Sequence, residues 1–199
     1  KEVSCVRFSP DGRWLVTAGV DGKIIFWDVV AGKIFNTIKL SGGSYATQLE
    51  FSPVELYLAV TTSSRACHIY DCENNFECVI TTPFESSSIR SICYSNRGRC
   101  LCTATDSTLR VYELPNNLYY KEVADGAVAE FSCLQTSKIA WDGVTDLRLN
   151  ENNHLIAGCF NSNFVSLYNC DVSGICGEDG CAPSQESKDH HQTPSPNEP

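Results

Sequence analysis

The sequence predicts an all-β chain folded as a β-propeller of about four blades, an incomplete ring followed by a disordered tail. Three observations carry this prediction. The pair Trp27-Asp28 ends an alternating strand and has echoes at Tyr70-Asp71, Tyr112-Glu113 and Tyr168-Asn169. Their spacing lies close to the roughly 40 to 45 residues of a four-stranded propeller blade, with an insertion before the last echo. Ahead of each echo the same internal order recurs: an apolar strand, a turn, a second strand and a third.

Taken in order, the units span about 2–42, 43–85, 86–125 and 138–170. Their first strands carry apolar residues at matched offsets: Val3, Val6, Phe8; Ala46, Leu49, Phe51; Ile89, Ile92, Tyr94; Val144, Leu147, Leu149. A turn follows each. In Ser9-Pro10-Asp11-Gly12, Pro presets φ and Gly accepts positive φ. Ser52-Pro53-Val54-Glu55, Ser95-Asn96-Arg97-Gly98 and Asn150-Glu151-Asn152-Asn153 stand at the same place. Second strands are expected at 14–18, 57–61, 100–104 and 154–158, and third strands at 23–29, 66–72, 108–114 and 163–170. Fourth strands fit 33–40, 76–81 and 118–123, and none is evident after Cys170.

Composition supports a packed domain. Of 199 residues, 42% are hydrophobic and 10% aromatic, enough to bury a core. The formal charge of -9 argues against nucleic acid or an anionic membrane, which attract clustered Lys and Arg. No apolar run approaches the roughly 20 residues of a membrane span and no leader opens the sequence, so a soluble intracellular chain is expected. The twelve cysteines then read as free thiols. Cys5, Cys67, Cys93, Cys100, Cys102 and Cys159 fall at strand positions suited to small buried residues. Cys176, Cys181, His190 and His191 have no zinc-like spacing. No metal and no cofactor are expected.

The search for catalytic chemistry ends without a constellation. His68 and His154 lie in predicted strands and read as packed or edge residues. Gly19-Val20-Asp21-Gly22-Lys23 lacks the phosphate-loop spacing and leads into a strand, so it offers no helix N-terminus to an anion. The sequence predicts a protein that is not an enzyme.

These repeats resemble the WD-repeat (WD40) family of β-propellers over roughly residues 2–175. The resemblance implies a structural network joining a second-strand Ser or Thr, a turn Asp and the third-strand Trp. Only the first unit keeps most of it, as Thr17, Asp21 and Trp27. Stability is therefore expected to be most sensitive at Asp21 and Trp27. The aligned Asp position is Ser64, Asp106 and Ser162 in the later units. The family has seven blades as a rule, so the chain would supply part of a ring with its first and last strands open to pairing. Opening on Lys and containing no Met suits a fragment. The resemblance also marks a partner face, with candidate binding residues Val20, Tyr45, Ser63, Thr105 and Trp141. Tyr45 and Trp141 lead this set, because exposed aromatics make strong hot spots. Trp141 alternatively caps the core of the last blade.

A narrower pattern is similar to the non-catalytic WD-repeat regulatory (B) subunits of katanin. It comprises Trp27-Asp28 with Ala31-Gly32-Lys33, then Asp106-Ser107-Thr108-Leu109-Arg110-Val111-Tyr112 after Gly98-Arg99-Cys100-Leu101, and Trp141 ahead of Val144-Thr145-Asp146-Leu147. Thr108 is one residue more than that pattern has. The resemblance implies a targeting role in microtubule severing at centrosomes and spindle poles, with dynein-associated regulators as partners. The katanin ATPase subunit would be held by a C-terminal helical domain absent from these residues. Contact with acidic microtubules would need local basic groups such as Arg90, Arg97, Arg99 and Arg110. The alternative is a generic adaptor, either a ubiquitin-ligase substrate receptor or a chromatin-complex scaffold. Residues 176–199, rich in Gly, Ser, Pro and acidic side chains, are expected to be a disordered tail, with Thr193-Pro194 and Ser195-Pro196 as candidate phosphosites.

Overall fold

The computed structural model describes residues 2–114, 129–130, 132–141, 143–152, 154–161 and 164–176. They form four sheets in chain order. Blade 1 comprises β1 (Val3–Phe8), β2 (Trp14–Gly19), β3 (Lys23–Asp28) and β4 (Lys33–Lys39). Blade 2 comprises β5 (Ala46–Phe51), β6 (Tyr57–Thr62), β7 (Cys67–Asp71) and β8 (Glu77–Thr81). Blade 3 has β9 (Ser91–Tyr94), β10 (Cys100–Ala104) and β11 (Thr108–Glu113). A two-residue strand, β12 (Ala129–Glu130), then adds in parallel to the outer edge of β8, and β13 (Ser132–Lys138) completes blade 3. Blade 4 holds β14 (Val144–Leu149), β15 (His154–Asn161) and β16 (Phe164–Asp171), with a turn of helix, α1 (Ser173–Cys176), beyond.

The first turn of every blade is closed by the same backbone bond. The N–H of Ser9, Ser52, Ser95 and Asn150 donates to the carbonyl of Trp14, Tyr57, Cys100 and His154 at 2.9 to 3.0 Å. In three blades the side-chain oxygen of that residue also accepts a strand N–H: Trp14 to Ser9 Oγ, Cys100 to Ser95 Oγ, and His154 to Asn150 Oδ1. A short polar side chain competes well for turn backbone, which is why Ser or Asn stands there. The next turn of blade 1 requires Gly22. Its φ is 76°, and a Cβ would lie 2.7 Å from the Ser44 carbonyl oxygen.

Each core lies between blades. Val16, Ile24 and Phe26 of blade 1 pack on Leu49, Leu58 and Val60 of blade 2. Tyr57, Ala59 and Ile69 on the other side of blade 2 meet Ile92, Leu101 and Tyr112. Cys102, Leu109 and Val111 meet Leu147, Leu155 and Cys159 of blade 4. All residues of β6, β9 and β10 are buried, because blades 2 and 3 have neighbours on both sides. The inner strands follow one another, β1 beside β5, β5 beside β9 and β9 beside β14. Among the described residues, blades 1 and 4 each keep an uncovered face, and the four sheets make an arc.

Cys67, Cys93, Cys100, Cys102 and Cys159 are buried, and Cys5 is half-buried. Burial pushes the Cys67 thiol far up, and burial with the nearby Asp71 carboxylate pushes Cys72 up to about 12.

The structure corrects two readings of the strands. The outer strand of blade 3 is Ser132–Lys138, while 118–123 lies outside the described residues. The polar β13 is mostly exposed along its length, so it carries no burial pattern to read. In blade 4, the position of Trp27 is taken by Cys170 rather than Tyr168. Trp27 faces Leu15, Tyr70 faces Leu58 and Tyr112 faces Leu101, and Leu155 is matched by Cys170. The longer β15–β16 hairpin moves the aromatic two residues along, to face Ala157. Of the tail expected over 176–199, Cys176 ends the helical turn α1, while 177–199, with Cys181, the two histidines and the phosphosite candidates, lies outside the described residues.

Candidate partner-binding face

Alternating strands around an arc bring two kinds of segment to one face: the turn between second and third strands, and the connection entering each blade. In every blade a backbone bond joins them. Val20 N–H donates to Glu2 O at 3.1 Å, Ser63 to Tyr45 O at 2.9 Å, Arg90 to Ala104 O at 2.7 Å and Phe160 to Gly143 O at 3.1 Å. The face is therefore a row of pinned loops on a rigid scaffold, where binding residues concentrate.

Val20, Tyr45 and Ser63 lie on this face. Val20 is 43% and Tyr45 37% exposed, and Ser63 is exposed. Tyr45 N–H also donates to Ser63 Oγ at 3.2 Å, which holds these two loops together. The blade 1 turn abuts Ser44, the neighbour of Tyr45, through Gly22.

Thr105 and Trp141 do not belong to the surface. Thr105 is buried, its hydroxyl 2.6 Å from that of Thr108. Trp141 is 5% exposed and sits in the core between blades 3 and 4, its ring edge-on to Tyr168. Its indole N–H donates to the Thr105 carbonyl at 2.8 Å. A loop tryptophan looks exposed in sequence because nothing there shows the gap between neighbouring blades that it fills.

The three residues of the first-unit network are brought together only in part. Trp27 Nε1–H donates to Thr17 Oγ1 at 3.0 Å across β2 and β3. The Asp21 carboxylate instead accepts the Lys23 N–H within its own turn at 3.3 Å. Blade 3 replaces the pair. Thr103, in the place of Thr17, is buried with its hydroxyl unbonded, and Tyr112 donates to the buried Glu85 carboxylate at 3.0 Å. Arg110 binds the other oxygen of Glu85.

With this geometry in hand, comparison with known proteins finds the WD domain, G-beta repeat family matching residues 1–28 and 76–113. The solved RRP9 WD40 repeats superpose over 84% of this chain and 50% of that one, with a TM-score of 0.68 at 16% identity. The four sheets are blades of a WD40-type propeller. Curated proteins that this chain is similar to include small ribosomal subunit protein RACK1 of Candida albicans, 40% identical over 62 residues, 31% of this chain and 19% of that protein. A chromatin assembly factor 1 subunit FAS2 homolog of Oryza sativa subsp. japonica is 37% identical over 71 residues, 35% of this chain and 14% of the relative. The chain thus spans less than a fifth of either relative and half of the RRP9 structure.

Two features of this face, an exposed aromatic and an ion pair, were not singled out from sequence. Phe84, in the connection between β8 and β9, is 74% exposed, while Glu85 beside it is fixed by Arg110, Tyr112 and a backbone bond to Arg65 O. An aromatic between Pro83 and a buried acid is held out in solvent, a signal readable only once Glu85 is known to point inward. Arg90 and Asp106 form an exposed ion pair at 2.7 Å on the same face. His68 is half-buried with Nδ1 2.9 Å from Thr81 Oγ1, and burial lowers its pKa. Among the described residues no three His, Cys, Asp or Glu side chains converge as a metal site.

Proposed function

We propose that this WD40 arc is a non-catalytic scaffold that binds protein partners through the face carrying Val20, Tyr45, Ser63 and Phe84. The observation behind this reading is the exposure of Tyr45 and Phe84 beside loops locked by backbone bonds. Aromatic side chains held on rigid backbone lose little entropy when a partner covers them. The assembly we propose is the katanin microtubule-severing complex, with the chain as part of its regulatory, targeting subunit in the cytoplasm at centrosomes and spindle poles. The support is the ordered set of Trp27-Asp28, Asp106 to Tyr112, and Trp141 ahead of Val144. In this reading dynein-associated regulators are the direct partners. Direct microtubule contact is secondary, since Arg90 is tied to Asp106 and Arg110 to Glu85, leaving the net charge of -9 largely unopposed.

Capture experiments with dynein-associated regulators and polymerised tubulin, using the wild-type chain and Tyr45→Ala, test the proposal. Binding of a regulator that weakens about tenfold or more in Tyr45→Ala supports it. No binding to either probe, together with a tagged chain that does not reach spindle poles, sinks the katanin assignment. The second reading is a chromatin-complex scaffold. The match to a chromatin assembly factor 1 subunit favours it, and nuclear localisation with histone-chaperone partners would select it.

A further inference from the structure

The first turns of blades 1 and 2 stand side by side on the face of the arc opposite Tyr45 and Phe84, because antiparallel strands carry their successive turns at opposite ends. Both turns begin Ser-Pro, as Ser9-Pro10 and Ser52-Pro53, and proline fixes the backbone φ in each. Between them lies an open groove of about 270 Å³. Pro10, Pro53, Val54 and Leu56 give it an apolar lining. Asp11, Glu55 and Glu73 stand around that lining.

Each wall is held by bonds of its own. In blade 1 the Ser9 hydroxyl donates to Asp11 Oδ1 at 2.6 Å and the Arg13 N–H donates to the same oxygen at 3.1 Å. These bonds hold the Asp11 carboxyl below the usual carboxylate range, so it is ionised. In blade 2 the Leu56 carbonyl accepts the Cys72 N–H at 3.0 Å, tying the apolar lining to the turn that carries Glu73. The buried Asp71 caps that turn, its Oδ1 accepting the Glu73 and Asn74 N–H groups at 3.0 Å. Val54 is backed by blade 3. A Cβ on Gly98, whose φ is 68°, would lie 2.7 Å from Val54 Cγ2 and 2.8 Å from Ser52 Oγ.

This lining selects its occupant. An apolar surface rimmed by carboxylates fits a side chain that is aliphatic along its stem and cationic at its head, which describes Arg and Lys. An apolar side chain would desolvate the carboxylates without pairing them, and an acidic one would be repelled. The volume falls below the roughly 300 to 1,000 Å³ of small-molecule pockets, a scale that suits one long side chain. The chain's own nearby cation, Arg13, has an 80% exposed side chain and meets Asp11 at 3.7 Å. Glu55 is exposed and has no ion-pair partner among the described residues.

We propose that this groove is a second protein-binding site, seating one arginine or lysine side chain from a basic segment of a partner. Its walls come from two blades that share one sealed core, so it belongs to the interior of the arc. It is separate from the Tyr45 and Phe84 face and stands independently of it.

Chemical-shift titration of the isotope-labelled full chain provides the test. The probe is an end-blocked peptide, Gly-Ser-Ala-Arg-Ala-Ser-Gly, with twins carrying citrulline or Glu in place of Arg. The expected result is saturable shifts centred on the amides of Asp11, Val54, Glu55 and Glu73, with an affinity that falls as salt is raised. Citrulline keeps the shape without the charge and should bind about fivefold or more weakly. Glu55→Gln should weaken the Arg peptide by about threefold, and Glu55→Lys, which places a cation at the rim, by about tenfold or more. Amide spectra unchanged away from the groove show that both variants are folded. Tyr45→Ala should bind the peptide as the wild type does, so failure of this groove and failure of the other face are read separately. The proposal is overturned by any of three outcomes: no saturable shift in the groove up to several millimolar peptide, citrulline or Glu twins that bind as well as Arg, or binding that Glu55→Lys leaves unchanged.

Discussion

Trp141 and Thr105, thirty-odd residues apart in the chain, are joined by an indole N–H to carbonyl hydrogen bond of 2.8 Å that fastens the entry to blade 4 onto the turn of blade 3. Both ends of the bond are buried, so its loss would strand the Thr105 carbonyl as well as empty the site of the ring. Trp141→Ala should cost about 3 to 5 kcal/mol, the usual range for emptying a buried Trp site, and lower the melting temperature by many degrees. Trp141→Phe should recover most of the packing but not the hydrogen bond. Calorimetry on the three proteins separates the two contributions. An unchanged melting temperature in Trp141→Ala would contradict the buried placement.

The first blade separates the two residues on which its stability was expected to depend. Trp27 is bonded to Thr17 across two strands, whereas Asp21 only satisfies one N–H in an exposed turn. Asp21→Ala should therefore cost about 0.5 to 1 kcal/mol, and Thr17→Val about 1 kcal/mol through the lost bond. Chemical denaturation of both variants should rank Thr17→Val at or below Asp21→Ala in stability. The reverse order would restore a central role for the carboxylate.

Glu85 is 2% exposed and receives both Arg110 and Tyr112. Removing Arg110 leaves a buried carboxylate with one partner fewer. Arg110→Ala should therefore destabilise by about 3 kcal/mol, while the double variant Arg110→Leu with Glu85→Gln should recover part of the loss. A double-mutant cycle measured by urea unfolding gives the coupling. It should also show the Phe84 connection loosening, as faster proteolysis near Pro83 in Arg110→Ala.

His68 gives the fold an acid-sensitive point. Burial lowers its pKa in the folded chain, so the unfolded chain binds the proton more readily. The neutral ring's contribution is intact above the ordinary histidine range near 6.5 and is lost progressively as pH falls through and below it. Unfolding free energies measured from pH 8 to pH 5 should fall in the wild type. The fall should be shallower in His68→Gln, which keeps a side chain able to bond Thr81.

The blade plan was legible because it rests on local chemistry repeated four times. Ser9, Ser52, Ser95 and Asn150 mark the first turns, and alternating apolar residues fix which strand faces meet a neighbouring blade. What escaped notice depends on partners distant in the chain. Tyr168 looked like another Trp27 by residue type, but a longer hairpin put Cys170 in that position. The outer strand Ser132–Lys138 is polar and edge-exposed, so it leaves no hydrophobic rhythm. On the candidate face, the exposure of Val20, Tyr45 and Ser63 follows from turn position alone. Burial of Trp141 and Thr105, and display of Phe84, are decided by blade 4 and Glu85.

No blade of this arc owns a core; each of the three hydrophobic clusters belongs jointly to two adjacent sheets. The molecule is in this respect a one-dimensional stack, in which the stability of a sheet is lent by its neighbours. Blades 2 and 3 draw on two clusters apiece, and blades 1 and 4 on one. Opening should thus begin at the ends and travel inward, with the amides of β6 and β10 the slowest to exchange with solvent.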